Sequence, residues 1–327
     1  MPRFDLPITE LENFNPDVEC PEDFDRFWRA TVDESMAQAW PAEYELTRTS
    51  VRFARVYDVR YSGFMGEHIA AWLLLPGDAT AQVPAVVVYP GYGSSRGYPH
   101  EHLKWPAAGI AAFVVDNRGQ GSSALAPGVT PDPHGSGPSF PGMMTKGIES
   151  PESFYYRRLI VDAVAAVDAA ARHPAIDPSR VVAAGASQGG GLALAVAGLN
   201  NRVAAALIDV PFLCHFRRAV GMTDSHPYEE VAKYLATHRG SEGRVFHTLS
   251  YFDGVNFARR GTAPALFSVG GLDPVCPPST VFAARNAYAG TKGLSIYEFN
   301  KHEGGGPLHW LRQMDFLHDA GLVARSQ

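Results

Sequence analysis

Short, fully apolar runs alternate with helical patterns along most of this chain. Such runs are typical of strands that are buried on both faces of a parallel sheet. Apolar positions recur at helical spacing over residues 153–173 until Pro174 ends the pattern, and residues 190–199 predict a further helix. Strands that alternate with helices predict an α/β fold with a doubly wound, mostly parallel sheet. The predicted strands of this sheet are residues 85–89, 109–116, 180–185, 203–210, 263–270 and 294–299.

Other segments depart from this alternation. Residues 51–61 and 68–75 are rich in Val, Tyr, Ile and Leu and predict an N-terminal antiparallel hairpin. Residues 119–147 are rich in Gly, Pro, Ser and His, and a loop of this length usually serves a functional site. Residues 211–260 lack a strand pattern and predict a helical insertion across the C-terminal edge of the sheet. Because no linker is visible, we interpret residues 1–327 as a single domain.

Charge and hydropathy argue against two classes of partner. The 327 residues include 28 Lys and Arg against 34 Asp and Glu, and basic residues run together at most in pairs. A nucleic-acid binder would carry a basic patch, so we expect no nucleic-acid partner. The longest apolar stretch, residues 192–199, is too short to cross a membrane. Acidic residues at the N-terminus, where a signal peptide has its apolar core, favour a cytoplasmic location.

The residue types that commonly bind metals form no recognisable pattern. Cys20, Cys214 and Cys276 lack CxxC spacing, which argues against a disulfide framework and a cysteine-based zinc site. The sequence contains no HExxH motif, and its 12 histidines show no tight cluster. We therefore predict no metal site.

The sequence Gly-Ala-Ser-Gln-Gly at residues 185–189 matches the pattern G-x-S-x-G. It follows a predicted strand and precedes a predicted helix, which is the context of the nucleophile elbow in α/β-hydrolases. Glycines flank the serine in that turn because a Cβ would collide with the neighbouring strand or helix. We therefore interpret Ser187 as a catalytic nucleophile on an α/β-hydrolase fold, with an ordinary glycine turn as the alternative.

A serine nucleophile needs a base and an orienting carboxylate, which follow it in the order Asp, His in this fold. Asp273 follows the strand at 263–270 and His302 follows the last predicted strand, so both are expected at the C-terminal edge of the sheet. Asp209 directly precedes the insertion and Asp253 lies in no strand, so both are weaker candidates for the acid. Other histidines are interpreted as surface or structural residues: His215, His226, His238, His247, His309 and His318.

Ester hydrolysis also needs N–H donors for the negative charge that develops on the carbonyl oxygen. One donor is expected from the backbone N–H of Gln188, at the start of a helix where the helix dipole assists. The second is expected in the loop after the third predicted strand, where Gly91 allows the N–H of Tyr92 to turn inward. The alternative role of Tyr92 is that of a packing aromatic.

Short motifs spread over the chain agree with one known family. The main ones are Arg118-Gly-Gln120, Gly-Ala-Ser-Gln-Gly-Gly from residue 185 and His302-Glu303. Further segments are Phe4-Asp-Leu-Pro, Pro21-Glu-Asp-Phe-Asp-Arg-Phe-Trp, Pro211-Phe-Leu-Cys and Asp273-Pro-Val-Cys-Pro-Pro-Ser-Thr. From the N-terminus to about residue 310, the chain resembles carbohydrate esterase family 7, the acetyl xylan esterases and cephalosporin-C deacetylases.

The resemblance implies a serine esterase that removes acetyl groups from sugars and small alcohols. The catalytic triad it implies is Ser187, Asp273 and His302. It also implies an oxyanion hole formed by the amides of Tyr92 and Gln188, and a closed acyl pocket in which Tyr92 and Phe212 contact the substrate. No metal or organic cofactor is required, and the partner is a small acetylated substrate. Family members form ring-like hexamers, so the resemblance implies a homo-oligomer.

The sequence departs from the family pattern at two positions. Pro90 replaces the usual His before Gly-Tyr, which keeps the backbone donor but changes the lining of the acyl pocket. Lys146 replaces an Arg, which weakens any bidentate contact made there. Arg118 and Gln120 are interpreted as structural residues that hold the loop near the nucleophile, and the sequence does not identify the partner of Arg118.

Two other classes of function stay open at this point. A general carboxylesterase, lactonase or peptidase could use the same fold, because fold alone does not fix the substrate. A binding protein that has kept the hydrolase scaffold without its activity is the second alternative.

Overall fold

A nine-stranded sheet forms the centre of the protein in this computed structural model, which describes residues 5–122, 126–135 and 137–325. The strands are β1 (Glu43–Leu46), β2 (Ala54–Ser62), β3 (His68–Pro76), β4 (Val83–Tyr89), β5 (Ala111–Val115), β6 (Ile176–Ala186), β7 (Val203–Asp209), β8 (Ala265–Gly270) and β9 (Lys292–Tyr297). Their spatial order is β1-β2-β3-β5-β4-β6-β7-β8-β9. The pairs β1-β2, β2-β3 and β3-β5 are antiparallel, and every pair from β5 through β9 is parallel. The predicted mostly parallel sheet with an N-terminal antiparallel hairpin is confirmed.

Helices cover both faces of this sheet. They are α1 (Ile8–Leu11), α2 (Phe24–Met36), α3 (Lys104–Ala107), α4 (Tyr155–Arg172), α5 (Gln188–Leu199), α6 (Phe216–Met222), α7 (Tyr228–Thr237), α8 (Glu242–Ser250), α9 (Gly254–Ala258), α10 (Pro278–Ala287) and α11 (Gly306–Asp319). Val87 and Ala183 belong to an apolar cluster with α4 and α5, whereas their neighbours Val86 and Val182 pack with residues of α3 and α11. This alternation is what strands buried on both faces require. Across the described ranges, no helix combines the length and apolar character that crossing a membrane demands.

The structure corrects some of the predicted elements. β1 was not predicted, because its four residues, Glu-Tyr-Glu-Leu, are mostly exposed and too few for their polar–apolar alternation to indicate a strand. The loop with Tyr92 therefore follows the fourth strand in the chain rather than the third. β6 begins at Ile176 rather than at residue 180. The residues just after Ile176 are polar and partly exposed, so the apolar pattern did not include them. Phe4, which belongs to the resemblance, lies outside the described residues.

Residues 211–260, the predicted insertion, contain helices α6 to α9 between β7 and β8. The described parts of the loop at 119–147 contain no helix or strand. Ion pairs of charged side chains fix this loop to the rest of the protein instead.

Arg118 anchors the start of the loop through buried ion pairs. Its side chain is fully buried and donates to both carboxylate oxygens of Asp162 on α4, at 2.5 and 2.8 Å, and to Glu67 at 2.5 Å. Asp162 is likewise fully buried. These carboxylates are the partners of Arg118 that the sequence left unidentified, and they tie the loop to α4.

Asp132 anchors the middle of the same loop. Arg158 of α4 donates to both of its oxygens, at 2.8 and 2.9 Å, and Lys146 donates to one of them at 2.5 Å. Burial alone would raise the pKa of Asp132, but these cations outweigh that effect and lower its pKa to about 2. Lys146 makes a single contact because an ammonium lacks the two-pronged geometry of a guanidinium.

We expect Arg118→Met to lower the free energy of unfolding by about 3–5 kcal/mol, because it leaves a buried carboxylate without its cation. Urea unfolding followed by circular dichroism measures this change. Arg325→Met is the control, since its ion pair with Asp319 has side chains 74% and 67% exposed and should contribute below about 1 kcal/mol. Equal losses in the two variants would contradict the anchoring role of Arg118.

Candidate active site

Ser187 occupies a sharp turn between β6 and α5. β6 ends at Ala186, α5 begins at Gln188, and Ser187 between them has φ 58° and ψ −121°. A positive φ is strained for a residue with a side chain and is typical of functional sites. A Cβ added to Gly189 would collide with the carbonyl oxygen of Tyr89, and one added to Gly185 would collide with Gly189 itself. The glycines of the motif therefore allow the close approach that holds Ser187 in this conformation.

Asp273 and His302 form a hydrogen-bonded pair, and His302 lines the same cavity as Ser187. Nδ1 of His302 lies 2.8 Å from Oδ2 of Asp273, which is fully buried. The other oxygen of Asp273 accepts the backbone N–H groups of Val275 at 2.8 Å and Cys276 at 3.0 Å, which fixes the carboxylate toward His302. Ser187 and His302 line one cavity of about 660 Å³ at the C-terminal edge of the sheet.

The same place contains a possible set of metal ligands. Within the described ranges, ligand atoms of Asp273, Cys276 and His302 lie within 4.8 Å of one another. The hydrogen bond between His302 and Asp273 already explains two of the three positions. The thiol of Cys276 is buried, and burial raises its pKa well above the usual range, so the metal-binding thiolate is disfavoured.

The rival acids have other partners. Asp209 accepts a hydrogen bond from Gln313 at 2.6 Å. Asp253 caps α9 by accepting the N–H of Val255 at 3.0 Å, and burial raises its pKa to about 6. Neither carboxylate is hydrogen-bonded to His302, whose recorded partner is Asp273.

The amides of Tyr92 and Gln188 lie on two segments that their neighbours tie together. In the hydrogen bonds among described residues, neither amide donates to another group. The side chain of Gln120 accepts the N–H of Gly93 at 2.7 Å and donates to the side chain of Gln188 at 3.0 Å. Gln120 thus links the loop that carries Tyr92 to the first residue of α5.

The side chain of Tyr92 is anchored to the insertion. Its hydroxyl donates to Glu230 of α7 at 2.6 Å and accepts the N–H of Met143 at 2.5 Å. Glu230 is fully buried, and its second oxygen accepts the N–H of Met144 at 3.0 Å. Burial, reinforced by the charge of Glu230, raises the pKa of Tyr92, so its hydroxyl stays a donor. One buried carboxylate therefore holds three segments of the chain together.

Phe212 lies behind the cavity wall rather than in it. It is fully buried and is not among the cavity-lining residues, so the expectation that it contacts substrate is corrected. Its ring packs edge-on against Tyr92, with centroids 6.3 Å apart, and at a tilt against Tyr228, with centroids 4.3 Å apart. Its backbone N–H donates to the carbonyl of Ser187 at 2.9 Å. Phe212 therefore supports the wall and the nucleophile turn from outside.

Sequence reasoning missed the residues that do line this side of the cavity. They are Val275, two residues after Asp273, and His226 and Pro227 at the start of α7. His226 packs edge-on against Tyr92 with ring centroids 5.3 Å apart. Nothing in the local sequence of the insertion shows that these residues fold back over the nucleophile.

The sheet order, the turn at Ser187 and the neighbouring His302–Asp273 pair define an α/β-hydrolase. A model of the acetyl xylan esterase family (AXE1) matches residues 1–320 of the chain. The chain belongs to this family of carboxylic ester hydrolases.

Similar proteins agree with this assignment. The acetyl esterase Axe7A of Xylanibacter ruminicola is 28% identical over 303 residues, which cover 89% of this chain and 65% of that protein. The chain thus spans less than two thirds of that relative's length. The acetyl xylan esterase from Paenibacillus sp. R4 superposes with a TM-score of 0.90 and 39% identity, covering 96% of this chain and 99% of that one. Acetyl xylan esterase 1 from Thermoanaerobacterium sp. JW/SL YS485 superposes with a TM-score of 0.88 and 31% identity, covering 98% of this chain and 99% of that one.

We expect Glu230→Gln to lower the free energy of unfolding by about 1–3 kcal/mol. A carboxylate offers two acceptor oxygens and an amide offers one, so the substitution leaves either the Tyr92 hydroxyl or the Met144 N–H unpaired. Thermal and urea unfolding measure the change. Glu229→Gln, on the same helix and paired with Lys233 through partly exposed side chains, should change stability by less than about 1 kcal/mol. Indistinguishable variants would show that Glu230 is not an anchor.

Proposed function

We propose that this protein removes acetyl groups from acetylated sugars such as xylo-oligosaccharides, and from small acetylated compounds such as cephalosporin C. The observation that carries the proposal is that Ser187 and His302 line the same cavity. Ser187 lies at a strained turn, and the buried carboxylate of Asp273 orients the ring of His302. Membership of the acetyl xylan esterase family supports acetyl as the acyl group. The names of the similar proteins support a sugar as the alcohol.

In the proposed mechanism, Oγ of Ser187 attacks the acetyl carbonyl while Nε2 of His302 takes the hydroxyl proton. The hydrogen bond between Nδ1 and Asp273 supports this role, because it favours the tautomer whose Nε2 is free to accept. His302 then gives the proton to the departing alcohol oxygen, which leaves an acetyl group on Ser187. Water then attacks the acetyl carbonyl while the same imidazole takes its proton, and His302 returns this proton to Oγ of Ser187 as the C–Oγ bond breaks and acetate leaves. No metal or organic cofactor takes part in this scheme.

We further propose that the amides of Tyr92 and Gln188 bind the oxyanion. Their support is that both N–H groups lack a partner among the described residues and that Gln188 begins a helix. Glu230 and Gln120 act as positioning residues for these donors. The acyl pocket is the part of the cavity lined by Tyr92, Pro227 and Val275.

A cytoplasmic location and a homo-oligomer, a hexamer by resemblance, are also proposals. Free thiols at Cys20, Cys214 and Cys276 support a reducing compartment. Exposed apolar side chains on β9 and α11 support association between subunits: Ile296, Leu308 and Leu311. We propose no nucleic-acid and no membrane partner.

Ser187→Ala and His302→Ala should each lower kcat for p-nitrophenyl acetate by roughly 10⁴–10⁶, and the double variant should be little worse, because triad residues act as a unit. Asp273→Asn should also be severe, since the amide favours the wrong tautomer of His302. His247→Ala, at a side chain 56% exposed, is the matched control and should keep wild-type kcat. Losses that multiply in the double variant, or a Ser187→Ala variant that stays active, would refute the assignment.

Acetyl esters should be cleaved much faster than butyryl esters, and octanoyl esters hardly at all. Each methylene forced against the pocket wall costs about 1–3 kcal/mol of transition-state binding, or roughly 10–200-fold. The measurement is kcat/KM for p-nitrophenyl acetate, butyrate and octanoate. Val275→Ala should raise the butyrate-to-acetate ratio, while Val129→Ala, at a residue 60% exposed, should not. Equal or rising values along the wild-type series would indicate a broad carboxylesterase.

A further inference from the structure

The residues that line the catalytic cavity fall into two chemically different groups, which we call its two ends. Tyr92, Pro227 and Val275 line one end, which we have proposed for the acyl group. Asp209, Gln313 and Lys104 line the other, together with Glu101 and His102. An acetyl methyl group gains nothing from charged neighbours, whereas an alcohol rich in hydroxyls can use both donors and acceptors. The polar end therefore suits the leaving alcohol.

Asp209 is the acidic residue of this end that lies beside the nucleophile. It is the last residue of β7 and pairs in register with Ala186, and its carbonyl accepts the N–H of Ser187 at 3.0 Å. Neighbouring strands lie about 4.8 Å apart. Because Asp209 pairs with the residue before Ser187 and both Asp209 and Ser187 line the cavity, a hydroxyl close to the ester is the part of the alcohol that this carboxylate can meet.

The carboxylate of Asp209 is held in place by α11. Gln313, which is buried, donates to Oδ2 at 2.6 Å. Nε2 of buried His309 lies 2.9 Å from Oδ1, a close contact that lacks hydrogen-bond alignment, and Tyr297 bonds the other nitrogen of that ring at 2.9 Å. Oδ1 is inaccessible, while the side chain as a whole is 19% exposed to the cavity. Oδ2 is thus the carboxylate oxygen that can meet a ligand.

A purely structural carboxylate is an unfavourable neighbour for this reaction. The transition state places negative charge on the substrate, and a carboxylate nearby in a partly buried site repels that charge. The proposed mechanism gives Asp209 no task. A hydrogen bond from the substrate to Oδ2 would offset the repulsion and fix the alcohol, so substrates with such a donor would react faster than matched substrates without one.

We propose that Asp209 is a specificity-determining residue that accepts a hydrogen bond from a free hydroxyl adjacent to the ester-bearing carbon. The favoured class of substrate is the monoacetate of a vicinal diol, which includes partly acetylated sugars. Gln313 is a positioning residue for the carboxylate, and Lys104 at the exposed rim supplies a donor to more distant hydroxyls. This inference rests on the proposed deacetylase function.

Two small esters test the proposal, 2-hydroxyethyl acetate and 2-methoxyethyl acetate, which differ in the one hydrogen-bond donor. The measurement is kcat/KM for each, divided by its rate of hydrolysis by hydroxide. Wild-type protein should favour the hydroxyl ester by about tenfold or more, as expected for a hydrogen bond to a charged group. Asp209→Asn should reduce that ratio toward one, because the group that faces the cavity is no longer a charged acceptor.

Two further variants complete the experiment. Gln313→Leu keeps the carboxylate but frees it, so the ratio should fall partway, and this variant decides the matter if Asp209→Asn does not fold. Asp315→Asn, at an exposed position of α11 that does not line the cavity, is the matched control and should keep the wild-type ratio.

A wild-type ratio near one, or a wild-type ratio that survives in both Asp209→Asn and Gln313→Leu, would overturn the role of Asp209 while leaving the deacetylase function intact. Failure of the wild-type protein to cleave either ester, with p-nitrophenyl acetate also uncleaved, would instead remove the proposed function and this inference with it.

Discussion

The close approach of α5 to the ends of β4 and β7 is the constraint on which the site depends. Side chains at Gly189 and Gly190 would collide with the carbonyl oxygens of Tyr89 and Asp209, so only glycine lets the helix begin there. This one packing contact decides what surrounds the nucleophile. The loop after β4 supplies one neighbour, the end of β7 supplies another, and the helix start contributes its own free N–H groups.

The charged side chains near the active site are of two kinds. Buried pairs such as Arg118 with Asp162 have no exposed side-chain area, and this pair fastens the loop at 119–147 to α4. Asp209, by contrast, keeps part of its carboxylate open to the cavity. Burying an ion is costly unless it is paired. A fully paired buried charge therefore indicates a structural anchor, whereas an incompletely paired charge indicates a position where a ligand can bind. The distinction separates the scaffold from the binding surface.

The sequence predicted those parts of the molecule that local patterns control. Strand ends followed by Gly-rich turns pointed to Ser187, Asp273 and His302, and buried apolar runs predicted the parallel strands. It could not predict that Glu230 meets Tyr92 across 138 residues, because no local pattern encodes that contact. The burial of Phe212 could not be predicted for the same reason, because it depends on Tyr228 of the insertion packing over it.

The anchoring of Tyr92 to Glu230 also bears on how the chain matures during synthesis. The indole of Trp28 in α2 likewise donates to a carbonyl 223 residues away, at Tyr251 of the insertion. Contacts between such distant segments form late, because closing long loops costs entropy before the contacts can repay it. A nascent chain that has emerged only as far as β7 would leave the apolar residues beneath the insertion uncovered. Transiently exposed apolar surface of this kind makes an incompletely folded chain prone to aggregate.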